Sequence, residues 1–89
     1  MNLTELKKAL DKEGVKPHYY SLIGMTGAPY DGMSVLEKEE NRWLYYHFER
    51  GSRFSLQYFD TEDEACRYLF KILTQDPTTR VYEPPKNNN

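Results

Sequence analysis

The stretch Trp43-Leu44-Tyr45-Tyr46-His47-Phe48-Glu49-Arg50-Gly51-Ser52-Arg53-Phe54-Ser55-Leu56-Gln57-Tyr58-Phe59 decides the fold. Residues 43–48 are large at every position and rich in rings, which suits a pleated, buried strand better than a helix with one apolar stripe. Arg50-Gly51 supplies a turn, and Phe54 to Phe59 forms the returning strand. A two-residue turn groups Trp43, Tyr45 and His47 with Phe54, Leu56 and Tyr58 on one face. A three-residue turn ending at Gly51 groups Leu44, Tyr46 and Phe48 with them instead. We favour the first, because it buries Trp43, the largest apolar surface available. Either register leaves a second face with three large residues beyond what a half-solvated sheet needs.

Downstream, Thr61 and Glu64 have capping-box spacing, and Glu62 and Asp63 suit the positive end of a helix dipole. Ala65, Cys66, Leu69, Phe70, Ile72 and Leu73 form the apolar stripe of that helix, and Asp76-Pro77 ends it. Upstream, Asn2 and Glu5 make a second capping pair for a helix over about 3–13, with Leu3, Leu6 and Leu10 on one side. Gly14 stops that helix in a Schellman ending that brings Val15 to Leu10, and Pro17 prevents its resumption. Residues 19–23 read as a short strand, 24–32 as a glycine-rich loop, and 33–39 as a strand. Glu40-Asn41 is the turn that follows, with Asn suited to positive φ.

The predicted order is α-β-β-β-β-α: an antiparallel sheet of three to four strands packed with two helices, in one α+β domain over residues 1–80. Residues 81–89, containing Glu83-Pro84-Pro85-Lys86-Asn87-Asn88-Asn89, have too little apolar content to pack and are expected to be a disordered tail.

At 89 residues the chain should bury roughly 60–70% of its unfolded surface, enough for one modest core and too little for a large cofactor cleft. Aromatics make up 15% of it, including eight Tyr, so rings provide much of the packing area. The net charge of −2 gives no long-range attraction to phosphate backbones or anionic membranes, and any partner drawn by the overall field is basic. A single cysteine, Cys66, excludes an internal disulfide framework and a Cys-rich zinc site. No apolar run approaches the ~20 residues of a membrane span, and Met1-Asn2-Leu3-Thr4-Glu5 does not read as a secretory signal. The expected location is the reducing cytoplasm.

The candidate chemistry is sparse. His18 and His47 lack companions at metal-ligand spacing, and Cys66 falls on an apolar helix stripe, where thiols are inert. We therefore expect no catalytic group, no metal and no cofactor. Glu37, Glu39, Glu40, Asp60, Glu62, Asp63 and Glu64 form a carboxylate surplus whose ordinary role is capping and solvation. Beside exposed tyrosines the same surplus can imitate the phosphates and bases that a nuclease expects, and can steer a basic partner. The order helix, three strands, helix also matches the double-stranded RNA-binding domain. That fold carries lysines at the start of its last helix, where this chain has Asp60-Thr61-Glu62-Asp63-Glu64, so nucleic acid is not an expected partner.

The strings Trp43…Tyr45-Tyr46-His47-Phe48-Glu49-Arg50-Gly51, Phe59-Asp60-Thr61-Glu62-Asp63-Glu64-Ala65-Cys66-Arg67-Tyr68-Leu69 and Asp76-Pro77-Thr78-Thr79-Arg80 together resemble a family of small bacterial immunity proteins from polymorphic-toxin and contact-dependent growth inhibition systems. The resemblance implies a cytoplasmic, non-enzymatic protein that binds one cognate toxin domain. We expect it to neutralise a nuclease-like toxin by covering its active site, with Glu37, Glu39, Glu40, Tyr46, Phe48, Glu49, Asp60, Glu62 and Asp63 as candidate contacts. The alternative is a small enzyme or ligand-binding domain built on the Tyr/His47 sheet face. A pocket holding His47 with Glu49 or a tyrosine hydroxyl in reach would favour that alternative.

Overall fold

The structure is a computed structural model, described here for residues 1–79; the expected tail over 81–89 lies outside the described residues. Two helices, α1 (Leu3–Lys12) and α2 (Glu62–Gln75), pack with a four-stranded sheet of β1 (Tyr20–Leu22), β2 (Met33–Glu39), β3 (Arg42–Glu49) and β4 (Ser52–Phe59). The strand order is β1-β2-β3-β4, and the α-β-β-β-β-α order and α+β class are those the sequence predicts.

Both helices start as their sequences dictate. The side chain of Asn2 accepts from the Glu5 N–H while Glu5 reaches back, and Thr61 and Glu64 repeat the arrangement. Each box satisfies two N–H groups that the helix itself leaves unpaired. After α1, Gly14 takes φ +77, and the Val15 N–H reaches the Leu10 carbonyl at 3.0 Å while the Gly14 N–H reaches that of Asp11. That is the expected Schellman pair.

The sheet departs from expectation in one pairing, since β1 runs parallel to β2 while the other two pairs are antiparallel. The reason lies in residues 23–32. The chain reverses at Gly24 (φ +77) and folds back along β1. The Ser21 hydroxyl donates to the Gly27 carbonyl and the Leu22 N–H to Thr26 Oγ1, each at 2.9 Å. The chain thus regains the end where β1 began before β2 starts. At the β2–β3 turn the positive φ falls on Glu40 (+53) and not on Asn41.

The β3–β4 turn is the two-residue form, with Arg50 and Gly51 both at positive φ. It places Glu49 opposite Ser52, Phe48 opposite Arg53 and His47 opposite Phe54. The register then shifts: Ser55 takes φ +59 and inserts an extra residue, so Tyr45 pairs with Gln57, Leu44 with Tyr58 and Trp43 with Phe59. A bulge exchanges the faces of everything beyond it. The expected grouping therefore holds for Phe54 and fails for Leu56 and Tyr58, which join the face of Leu44. None of the three is core, with exposures of 50%, 42% and 46%.

The main core lies between the helices and one sheet face. Leu6 and Leu10 from α1 and Cys66, Leu69 and Leu73 from α2 meet Tyr20, Leu22, Leu36, Trp43 and Tyr45. Trp43 is buried there, as the favoured register required. Phe70 and Ile72 only flank this core.

Candidate functional site

The opposite sheet face carries a second cluster, Met33, Val35, Leu44 and Tyr46 with Phe48 packed against them, and no helix residue belongs to it. Strand alternation explains why it exists. β3 is apolar at both parities, so Trp43 and Tyr45 point to the helices while Leu44, Tyr46 and Phe48 point away. Cross-strand pairing sets Val35 beside Tyr46, Glu37 beside Leu44, and Glu39 beside Arg42. On the other side of β3, Tyr58 lies beside Leu44 and Arg53 beside Phe48. Leu56, two residues from Tyr58, shares their face.

The centre of this face is dry and its β4 margin is wet. Val35 and Leu44 are 1% exposed and Tyr46 2%, whereas Leu56 and Tyr58 are more than two-fifths exposed. The Tyr46 hydroxyl donates to Glu37 Oε2 at 2.7 Å. Burial first, and that bond second, push its pKa up to about 12. The Arg53 guanidinium lies 4.7 Å from the Tyr46 ring centroid, and the Arg42 guanidinium 4.0 Å from that of Tyr58.

The structure separates the nine predicted contacts into three groups. Glu37, Tyr46 and Phe48 share the open face, with Glu39 at its margin. Glu40, Asp60, Glu62 and Asp63 gather at the end of the sheet where β2 turns into β3 and β4 runs into α2. Two of these four are engaged internally: Glu62 accepts the Leu3 N–H at 2.7 Å, and Asp63 holds both the Met1 amine and Arg67. The bond from the Met1 amine, and then that from Arg67, hold the Asp63 carboxyl below its usual range. The carboxylate surplus thus ties the N-terminus to α2 and does not form one patch. Glu49, paired with Ser52 beyond the His47–Phe54 pair, lies at the opposite end and on the helix side.

Sequence reading missed Arg42 and Arg53 as members of the open face, and its favoured register put Leu56 and Tyr58 on the other side, whereas the three-residue alternative grouped them with Leu44, Tyr46 and Phe48, as found. The bulge at Ser55 decides where Leu56 and Tyr58 point, and a serine there carries no turn signal of the kind glycine gives. Arg42 was legible in principle, because alternation along β3 places it with Leu44, Tyr46 and Phe48.

A second feature lies on the helix side, where α2 ends short of the sheet margin. A cleft of about 320 Å³ opens between Tyr19, Ser34, Tyr45, His47, Ser55, Ile72 and Asp76. His47 Nε2 lies 3.1 Å from Glu49 Oε1, and the imidazole is 38% exposed. Burial raises the pKa of the Tyr45 hydroxyl above the usual tyrosine value. The Cys66 thiol is fully buried and pushed up to about 11, mainly by burial, so it is neither accessible nor ionised at neutral pH. Among the described residues no three His, Cys, Asp or Glu side chains converge as metal ligands, and no helix is long and apolar enough to cross a membrane. Compared with protein-family models, with curated proteins and with solved structures, the chain matches none.

Proposed function

We propose that this chain is a non-catalytic immunity protein that neutralises a cognate protein toxin domain by covering it with the open face of its sheet. The observation that carries the reading is the margin of that face, where Leu56 and Tyr58 stand more than two-fifths exposed beside the buried cluster of Met33, Val35, Leu44 and Tyr46, which includes no helix residue. Apolar area in water is disfavoured, and where large apolar side chains stay exposed side by side on a small domain they mark an interaction surface. Tyrosine and arginine at its margin are the residue types that anchor protein interfaces. The resemblance of the Trp43–Leu69 strings to immunity proteins supplies the partner class, and a cytoplasmic site of action follows from it.

Co-expression with the product of the adjacent gene tests the reading. The expected result is a co-purifying complex, protection of cells making that product, and loss of both on Tyr58→Asp. Absence of a complex together with absence of protection would overturn it.

The cleft beneath His47 favours a second reading, a small-ligand site, because Glu49 orients the imidazole and Tyr45 and Ser34 line the walls. A thermal-shift screen of small polar ligands would support it through hits that vanish in His47→Ala. A screen without such hits would dismiss it.

A further inference from the structure

The two edges of the sheet are finished differently. At β1 the outward backbone groups are satisfied within the chain. The Tyr20 N–H bonds to the Pro17 carbonyl, the Leu22 N–H to Thr26 Oγ1 at 2.9 Å, and the Leu22 carbonyl accepts the N–H groups of Met25 and Thr26. β4 has no such cover. It pairs with β3 on one side, no strand among the described residues pairs with it on the other, and every residue from Ser52 to Tyr58 is exposed. An open edge presents a row of N–H and C=O groups, the groups that a second extended chain pairs with. Sheets often blunt such an edge with lysine or proline, and β4 has neither, with Arg53 as its one charged residue. The side chains agree with the backbone. Phe54 lies on the helix side with His47, and Leu56 and Tyr58 on the open side, yet all three are about half exposed. A partner laid on the open face covers Leu56 and Tyr58 and leaves Phe54 in water. A strand added beside β4 lies against both sets, because neighbouring strands cover one another's side chains on each face.

We propose that the outer edge of β4 takes one extended, uncharged segment of a protein partner as a fifth strand, its backbone paired along β4 and its alternate side chains set beside Leu56 and Tyr58 on one face and Phe54 on the other. This rests on the reading of the Leu56 and Tyr58 margin as the partner surface and states how the partner is held there. In strand addition the main-chain bonds supply affinity and the flanking side chains supply selectivity. The bulge at Ser55 limits straight pairing to the runs 52–54 and 57–59, so a short segment is all that the edge seats.

The test is an NMR titration of the 15N-labelled protein with a blocked peptide of sequence Thr-Val-Thr-Val-Thr-Val-Thr. Its control is the same peptide N-methylated at two adjacent central residues, which removes a donor from each edge and keeps every side chain. The first peptide is expected to give saturable shifts along residues 52–59 and to slow exchange of those β4 amides that do not bond to β3. The methylated peptide should bind at least about tenfold more weakly, as loss of main-chain pairing implies. Phe54→Lys and Tyr58→Lys change half-exposed sites on opposite faces, and each should weaken binding to a similar extent; docking on the open face alone would spare Phe54→Lys. The proposal falls if neither peptide binds, if the methylated peptide binds equally, or if the open face shifts while the β4 amides keep their exchange rates. Slowed β4 exchange that grows with protein concentration, without peptide, would assign the edge to a second copy and overturn it as well. A captured toxin that leaves the β4 amides exchanging freely would overturn strand addition and leave the immunity reading standing. Strand addition of the peptide without any co-purifying toxin would do the reverse.

Discussion

The two faces of the sheet are built from alternate residues of the same strands, yet they are finished differently. On one, Tyr20, Leu22, Leu36, Trp43 and Tyr45 are sealed by leucines from two helices. On the other, Val35, Leu44 and Tyr46 are just as dry, but what surrounds them is Glu37, Arg53 and a half-exposed β4 margin. Burial alone therefore does not identify a core that folding has closed. Closure by helices leaves that side without charged groups at its centre and even strands the buried Tyr20 hydroxyl without a hydrogen-bond partner among the described residues, whereas closure by arginine and glutamate leaves charged groups in contact with water.

The contrast can be broken or sharpened by measurement. Trp43→Ala should cost about 3–5 kcal/mol in a denaturant titration, because the helix side cannot collapse around so large a void. An unchanged midpoint would remove Trp43 from the sealed core. Next in size is an alkaline effect on the open face. Below pH 10 Tyr46 is protonated in both states and its contribution is complete. Between pH 10 and about 12 the unfolded chain loses that proton while the folded one keeps it, so stability falls as pH rises. Stability measured across this window in wild type and Tyr46→Phe should therefore converge by about 2 kcal/mol. Parallel curves would place the hydroxyl in water.

Ser55→Gly should stabilise the fold by about 0.5–1 kcal/mol, since glycine adopts the positive φ of the bulge without the cost a side chain incurs. A loss of stability would show that the serine side chain, and not its backbone, holds the bulge. Smallest of all, Leu56→Ala and Tyr58→Ala should each change stability by less than about 0.5–1 kcal/mol, as expected for half-exposed margin residues. The same substitutions should abolish capture of the partner, and a large stability cost would move these residues into the core.

What the sequence disclosed was local. The Asn2/Glu5 and Thr61/Glu64 boxes, the Gly14 ending and the Arg50-Gly51 turn each fix backbone hydrogen bonds within a few residues. They were therefore readable from spacing, and with them the order of elements. What stayed hidden depended on distant pairings. The parallel β1–β2 pair follows from how residues 23–32 fold back, and the faces of Leu56 and Tyr58 follow from one extra residue at Ser55. Glu62 and Asp63 looked like a patch because their partners, the Leu3 N–H and the Met1 amine, lie some sixty positions away. The surplus of large residues on the second face was visible in β3 alone. Of the two arginines on that face, Arg42 followed from alternation along β3, and Arg53 required the register.

The kink at Ser55 has a consequence for the chain in a crowded solution. β4 is the outer strand of the sheet, and its free backbone edge would otherwise invite a copy of itself to zip along eight residues. The bulge divides that edge into two three-residue runs, 52–54 and 57–59, each too brief to template fibril growth. The chain thus carries, in one residue of its most exposed strand, a safeguard against polymerising on itself.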